Sequence, residues 1–193
     1  GAQVWPKKGI EVRQDNGGFY YPVVNQEECI KCGRCVQKCV QTMQNDQTLM
    51  DAYIGYNPDE SVRKDSSSGG IFNAIASAFI DNGGVVFGAA FDDDYSVRHV
   101  RIENKENLSR IMKSKYVQSD LKYIFDVLAE DLEKGRPVLF TGTPCQVAAV
   151  CQFADGLRLR EKLYTIDFIC HGVPSPGVWK SYLNYISKGS EVH

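Results

Sequence analysis

The chain has 193 residues, enough for one substantial core or for a small module attached to a larger domain. Lys and Arg total 22 against 24 Asp and Glu, a net charge of −2, so no global basic field exists to attract nucleic acid or an anionic membrane. The longest apolar stretches, such as "GGVVFGAAF" at 83–91, fall well short of the roughly 20 residues that span a bilayer, so no membrane span is expected.

The chain opens "GAQVWPKKGI", without an apolar signal core or a cleavage pattern, and the expectation is an intracellular, cytoplasmic protein. Its seven cysteines are Cys29, Cys32, Cys35, Cys39, Cys145, Cys151 and Cys170. An odd number, four of them at metal-ligand spacing, argues for a reducing compartment and against a disulfide framework.

Residues 1–45 hold two strand-like segments, "GIEVRQ" and "FYYPVV", around the turn "DNGG", followed by the cysteine run. With so few apolar residues, this module would take its core from a metal cluster. Residues 46–65 lack periodicity and read as a linker. From Ser66 to residue 193 helices and strands alternate. "SSSGGIFNAIASAFIDNGG" reads as a Ser-capped apolar helix and "GVVFGAAF" as a buried strand. Asp92, Asp93 and Asp94 form a turn, and "SVRHVRIE" is a strand with one wet face, on which His99 is expected beside Arg98 and Arg101. Leu121, Ile124, Phe125, Leu128 and Leu132 recur at helical spacing behind an Asp cap, with Gly135 closing the helix. "PVLFTG" is a strand, "TPCQVAAVCQFADG" a helix with Cys151 in the core, "KLYTIDFIC" a strand and "SPGVWKSYLNYISKG" a last helix with Pro at its start. The fold class is therefore α/β, with α+β as the alternative: a mixed or mostly parallel sheet with flanking helices, preceded by a small cysteine-rich ferredoxin-like module.

"CIKCGRCVQKC" places Cys29, Cys32, Cys35 and Cys39 at C-x2-C-x2-C-x3-C spacing, the run by which bacterial ferredoxins hold 4Fe-4S clusters. In two-cluster ferredoxins the fourth Cys of such a run serves the other cluster, and residues 1–28 contain no Cys. "VWPKKGI" has the form of the "V-C-P-x-x-A-I" tail of a first ferredoxin motif, with Trp5 where a thiolate belongs. Either Cys39 folds back to complete one cluster, or the cluster is incomplete, or it is absent. A zinc knuckle built on the same four thiolates is the alternative metal site.

Three glycine-bearing loops stand next to helices. "KDSSSGG" offers Lys64, three hydroxyls and Gly69 and Gly70 at a helix start, a seat suited to phosphate, with an ordinary N-cap as the plainer reading. In "FTGTPCQ", Gly142 permits the turn, Thr143 caps, and the Cys145 thiol faces the positive helix end, where ionisation is favoured. "ICHGVPSP" repeats the arrangement with Cys170 and His171. The carboxyl ends of strands are where open α/β sheets bind ligands, so Cys145, Cys170 and His171 are the candidate reactive groups. No G-x-G-x-x-G is present, so a standard dinucleotide site is not supported and a bound cofactor would be held in another way.

These motifs resemble the coenzyme F420 hydrogenase/dehydrogenase beta-subunit family. The likeness is carried by "PKKGIEVRQDNGGFYYPVV", the cysteine run, "KDSSSGGIFNAIASAFIDNGGVVFGAAF", "KSKYVQSD", "PVLFTGTPCQVAAV" and "IDFICHGVPSPGVW". The resemblance implies an iron-sulfur flavoprotein oxidoreductase subunit: FAD in the α/β domain, 4Fe-4S clusters moving single electrons, and hydride exchange with a deazaflavin of the F420 type or another organic substrate. It implies a flavin lined by Lys64, Ser67, Ser68, Gly69, Gly70, Lys115, Tyr116, Gln118, Thr141, Gly142 and Thr143. It also implies a redox partner protein or subunit, a small-molecule electron donor or acceptor, and a chain matching the N-terminal half of a member, with activity in the full-length protein. A non-catalytic electron-transfer or scaffold partner and a zinc-stabilised binding module are the rival classes.

Overall fold

The computed structural model describes residues 9–42 and 50–187, so Trp5 lies outside the described residues. In chain order the elements begin with β1 (Ile10–Gln14), β2 (Tyr20–Val24), α1 (Arg34–Gln37), α2 (Glu60–Lys64), α3 (Ile71–Asp81), β3 (Val85–Phe91) and β4 (Val97–Ile102). Then come α4 (Ile124–Glu133), β5 (Val138–Gly142), α5 (Pro144–Leu157), β6 (Leu163–Asp167) and α6 (Pro176–Ile186). They fall into two units: residues 9–42, 116–118 and 171–187 form one, and residues 50–115 and 119–170 the other.

In the larger unit the sheet order is β4-β3-β5-β6. β3 and β4 are antiparallel, from Phe91↔Val97 to Val86↔Ile102. The turn between them closes through Asp92 N–H donating to the Ser96 carbonyl, as the three-aspartate turn implied. β3 pairs with β5 in parallel over Val85–Phe87 only, and β5 pairs with β6 in parallel over its whole length. The sheet is mixed and flanked by helices, an α/β architecture as expected.

Alternation of side chains along a strand decides which layer each residue joins. Val85, Phe87, Val138 and Phe140 pack with Ile124, Leu128 and Leu132 of α4 and Val150 and Ala154 of α5, with Cys151 partly buried beside them. Val86, Ala90 and Leu139 point to the opposite face, against Ala76 of α3 and Leu108 and Ile111 of a 3-10 turn at Lys105–Ile111. Full burial of each such Leu, Val or Phe is worth about 1.5–3 kcal/mol.

Two expected caps are replaced. The residue before α3 is Gly70, in the left-handed region at φ 76, with no side-chain cap; Ser66 and Ser67 are engaged with Val62 and Ser114 instead. At α4 the cap position is Tyr123, while the Asp120 carboxylate accepts from the Lys122 N–H one turn earlier. The start of α5 follows the sequence: Thr143 and Gln146 form a reciprocal capping box with Pro144 in the first turn.

In the smaller unit β1 and β2 form an antiparallel ribbon from Ile10↔Val24 to Gln14↔Tyr20. Its turn is built by the Asp15 carboxylate, which accepts from the Gly17 and Phe19 N–H groups. The Gly177 N–H donates to the Gly17 carbonyl at 2.8 Å, docking that turn on the start of α6, where Ser175 caps Val178. Among the described residues no helix is long and apolar enough to cross a membrane.

Candidate functional site

Only three residues separate α3 from β3, so α3 runs back along the sheet and its start lies over the carboxyl ends of the strands. The loops after β5 and β6 leave from that same edge, as in open α/β sheets generally.

The Ser67–Gly70 loop is held from both sides. The Ser67 hydroxyl accepts from the Ser114 N–H at 2.8 Å, and Lys113 stands 3.7 Å from the Asp65 carboxylate. The sequence-expected serine loop and Lys115 loop are therefore joined. Behind them, the N–H of buried Asn57 donates to the Gly69 carbonyl at 2.7 Å, and Arg63 donates to the Asn57 and Pro58 carbonyls. Asn57 and Arg63 lie in the stretch read as a linker, and there they form the platform of the loop. That platform is why the loop carries glycines: a Cβ on Gly69 would meet the Gly55 carbonyl at 3.0 Å, and one on Gly70 would meet Asn57 at 3.1 Å. Gly70→Ala, strained at φ 76 as well, is expected to destabilise the fold by about 1–3 kcal/mol, read by urea denaturation. An unchanged midpoint would show that the loop yields freely.

Lys115 is half-buried, and burial pulls its pKa down to about 8. Its ammonium donates to the carbonyls of Arg110, Met112 and Lys113 at 3.0, 2.5 and 3.1 Å, a set that favours the charged form. It thus closes the carboxyl end of the 3-10 turn with a fixed cation. Lys64 pairs with Glu60 at 3.0 Å on the exposed side of α2, and Ser68 is exposed.

At the end of β5, Gly142 has no room for a side chain, since a Cβ would lie 2.9 Å from Gln146 Oε1 and 3.1 Å from the Phe140 ring. The Gln146 amide oxygen accepts from the Thr143 N–H, and the Thr143 hydroxyl lies 3.2 Å from the exposed Cys145 thiol. Thr141 Oγ1 borders the position of Gly88, as does Ile111. This continues the contact from the Lys115 loop to the β5 loop. Cys170 is an exposed free thiol beyond β6.

His99 corrects the sequence expectation of a solvent-facing side chain: it is 6% exposed. It shares the face of Val97 and Arg101 on β4, and its ring stacks on Phe140 at 4.9 Å and 9°. Nε2 lies 2.8 Å from the Thr141 carbonyl and Nδ1 2.5 Å from the Ser119 hydroxyl. Burial drives its pKa down to about 4, against a smaller upward pull from the Thr141 carbonyl. The strand parity of Val97, His99 and Arg101 is the available signal for this placement.

In the smaller unit Cys29, Cys35 and Cys39 are half-buried and Cys32 is exposed, all with free thiols. The loop bends through left-handed Lys31 and Gly33 into α1, which carries Cys35. As a donor set, four free cysteines suit an iron-sulfur cluster. Among the described residues, however, no three His, Cys, Asp or Glu side chains are gathered as a metal site. Gln118 buries its Oε1 without a hydrogen-bond partner among the described residues, an acceptor left for a donor to fill. Tyr116 and His171 are exposed.

Residues 135–192 match the family model for the C-terminal part of the coenzyme F420 hydrogenase/dehydrogenase beta chain. That stretch spans β5, the Thr143–Cys145 loop, α5, β6 and α6. Over 74% of its length the chain is similar in fold to a chain of the xenon-derivatised F420-reducing NiFe hydrogenase complex from Methanosarcina barkeri, with a TM-score of 0.57 at 20% identity. The match covers 54% of that hydrogenase chain, so the protein spans about half its length. No curated protein matches the chain.

Proposed function

We propose that the chain is part of an iron-sulfur flavoprotein oxidoreductase subunit. In this reading electrons pass between 4Fe-4S clusters and a flavin, with a deazaflavin of the F420 type or another organic molecule as the two-electron partner. The supporting observation is a pair of contacts at the carboxyl edge of the sheet, Ser67 with Ser114 and Thr141 with Ile111 around Gly88, with Thr141 inside the segment that matches the beta-subunit family model. Ser67, Gly69, Gly70, Lys115, Thr141, Gly142 and Thr143 would hold FAD, and Tyr116 and Gln118 are the further candidates. When bound, FAD supplies hydride and single-electron chemistry.

The chain's own residues act by position and charge. Lys115 keeps a fixed cation beside the Ser67 loop, the Ser67 hydroxyl accepts from Ser114 and keeps its own proton to donate, and Cys145, Cys170 and His171 are the candidate reactive groups. Cys29, Cys32, Cys35 and Cys39 are the thiolates proposed to hold the cluster, and a second protein chain is the proposed electron partner. The surroundings expected are cytoplasmic.

Anaerobic reconstitution of the complete gene product tests this reading. The expected result is a yellow-brown protein with flavin released by acid, and iron and sulfide in equal amounts, about four of each per cluster. A colourless protein without extractable flavin overturns it, and one zinc with no iron supports a zinc-stabilised binding module instead.

A further inference from the structure

β3 and β5 pair only as far as Phe87↔Phe140; beyond that, β3 continues to Phe91 beside β4 alone. The strands part at the carboxyl edge, and the Thr141 carbonyl takes a hydrogen bond from the His99 ring. A carbonyl can only accept, so Nε2 carries the proton. A neutral ring then leaves Nδ1 as an acceptor, and the Ser119 hydroxyl donates to it. The residue is fixed through its backbone as well. It pairs with Ala89 across β4 and β3, its N–H donates to the Asp120 carbonyl at 3.0 Å, and the Asp120 N–H returns a bond to Val97 at 2.8 Å.

We infer that His99 is a positioning residue: as the Nε2–H tautomer it holds the Thr141 carbonyl and the Ser119 hydroxyl together, and so fixes, on the side away from β6, the end of β5 from which the Thr143 loop leaves. The value of this to function rests on the proposed reading of that loop as part of a flavin seat. The two anchored residues are 22 apart in sequence, and each adjoins candidate cofactor residues, Gln118 before Ser119 and Gly142 and Thr143 after Thr141. A single imidazole with two differently committed nitrogens joins them, an arrangement that neither a hydrocarbon nor a single hydroxyl reproduces. His99 touches no reacting atom in this scheme and acts through the loop.

The test compares the full-length protein with its His99→Phe and His99→Gln variants. Nitrogen-15 NMR of the wild-type imidazole is expected to show a protonated Nε2 and a bare Nδ1 near neutral pH. In His99→Phe, amide exchange is expected to rise about tenfold at residues 119–120 and 141–146 relative to the rest of the sheet, and the Kd for added FAD to rise about tenfold. His99→Gln, whose amide reaches the Nε2 position, is expected to recover most of both effects; a general loss of packing would not be rescued in this way.

The opposite tautomer, unchanged exchange in His99→Phe, or a folded His99→Gln no better than His99→Phe would overturn the inference. If His99→Phe fails to fold, the tautomer and the glutamine variant decide the matter. If the wild type takes up no FAD, the flavin reading falls, while exchange and tautomer still decide what His99 does.

Discussion

Replacing Asp131 with alanine will destabilise the protein by about 3 kcal/mol and lower its Tm by roughly 6–12 °C, measured by thermal and urea unfolding. Asp131 is 3% exposed, on the last turn of α4, where a carboxylate also faces the negative end of the helix. Its presence is explained by two arginines. Arg101 donates from Nε to Oδ2 at 2.6 Å and from Nη2 to Oδ1 at 3.0 Å, a forked pair across β4 and α4, and Arg136 reaches Oδ1 at 3.5 Å. Asp131, with help from Glu103, raises the pKa of the Arg101 guanidinium, which therefore stays charged whatever happens to its partner. Removing Asp131 leaves that cation partly buried without its forked partner, and broken buried pairs cost about 3–5 kcal/mol. The lower end applies here, because the Arg101 side chain is 25% exposed and Glu103 stands 3.0 Å away. A loss below about 1 kcal/mol would mean that solvent and Glu103 compensate fully.

Much of this architecture is written in local patterns. The alternation of Val85 and Phe87 against Val86 and Ala90 assigns the two faces of β3 before any partner is known. Thr143-Pro144 and Ser175-Pro176 mark the starts of α5 and α6 because the cap and the first turn are satisfied within four residues. The cap of α3 cannot be read in that way. Three serines precede it, but Ser66 donates to the Val62 carbonyl and Ser67 accepts from Ser114, 47 residues away. Nothing local reveals that second engagement. The sheet order has the same character, since the short parallel ladder of β3 on β5 joins residues more than 50 apart.

The candidate site divides along the same line. Its loops are visible because a strand followed by Gly, Thr and Pro is recognisable on its own, and its thiols because their spacing is. The supports are not. Asn57 and Arg63 lie in a stretch without periodicity, and their role depends on the return of the Gly69 backbone past them. His99 looks exposed when set beside Arg98 and Arg101, whereas on a strand the informative residue is two positions away: Val97, apolar and buried, puts His99 on the inner face.

That burial makes His99 a source of acid sensitivity. The ring is neutral in the folded protein because its pKa falls to about 4 from an ordinary value of 6.5, burial outweighing the Thr141 carbonyl. Unfolding exposes it, so the unfolded chain binds a proton that the folded chain refuses as the pH drops below 6.5. The stabilising contribution is therefore complete above pH 6.5, is lost progressively between 6.5 and about 4, and changes little below that, amounting to about 3 kcal/mol. Comparing urea unfolding of wild type and His99→Gln at about pH 7, 5.5 and 4 isolates this contribution, because the carboxylates titrate in both proteins and cancel in the difference. Wild type is expected to lose about 3 kcal/mol more than the variant over that range. Parallel losses would mean that the Ser119 hydroxyl turns to accept from a protonated Nδ1, so that the ring is charged in place and the buried pair yields to acid without opening the fold.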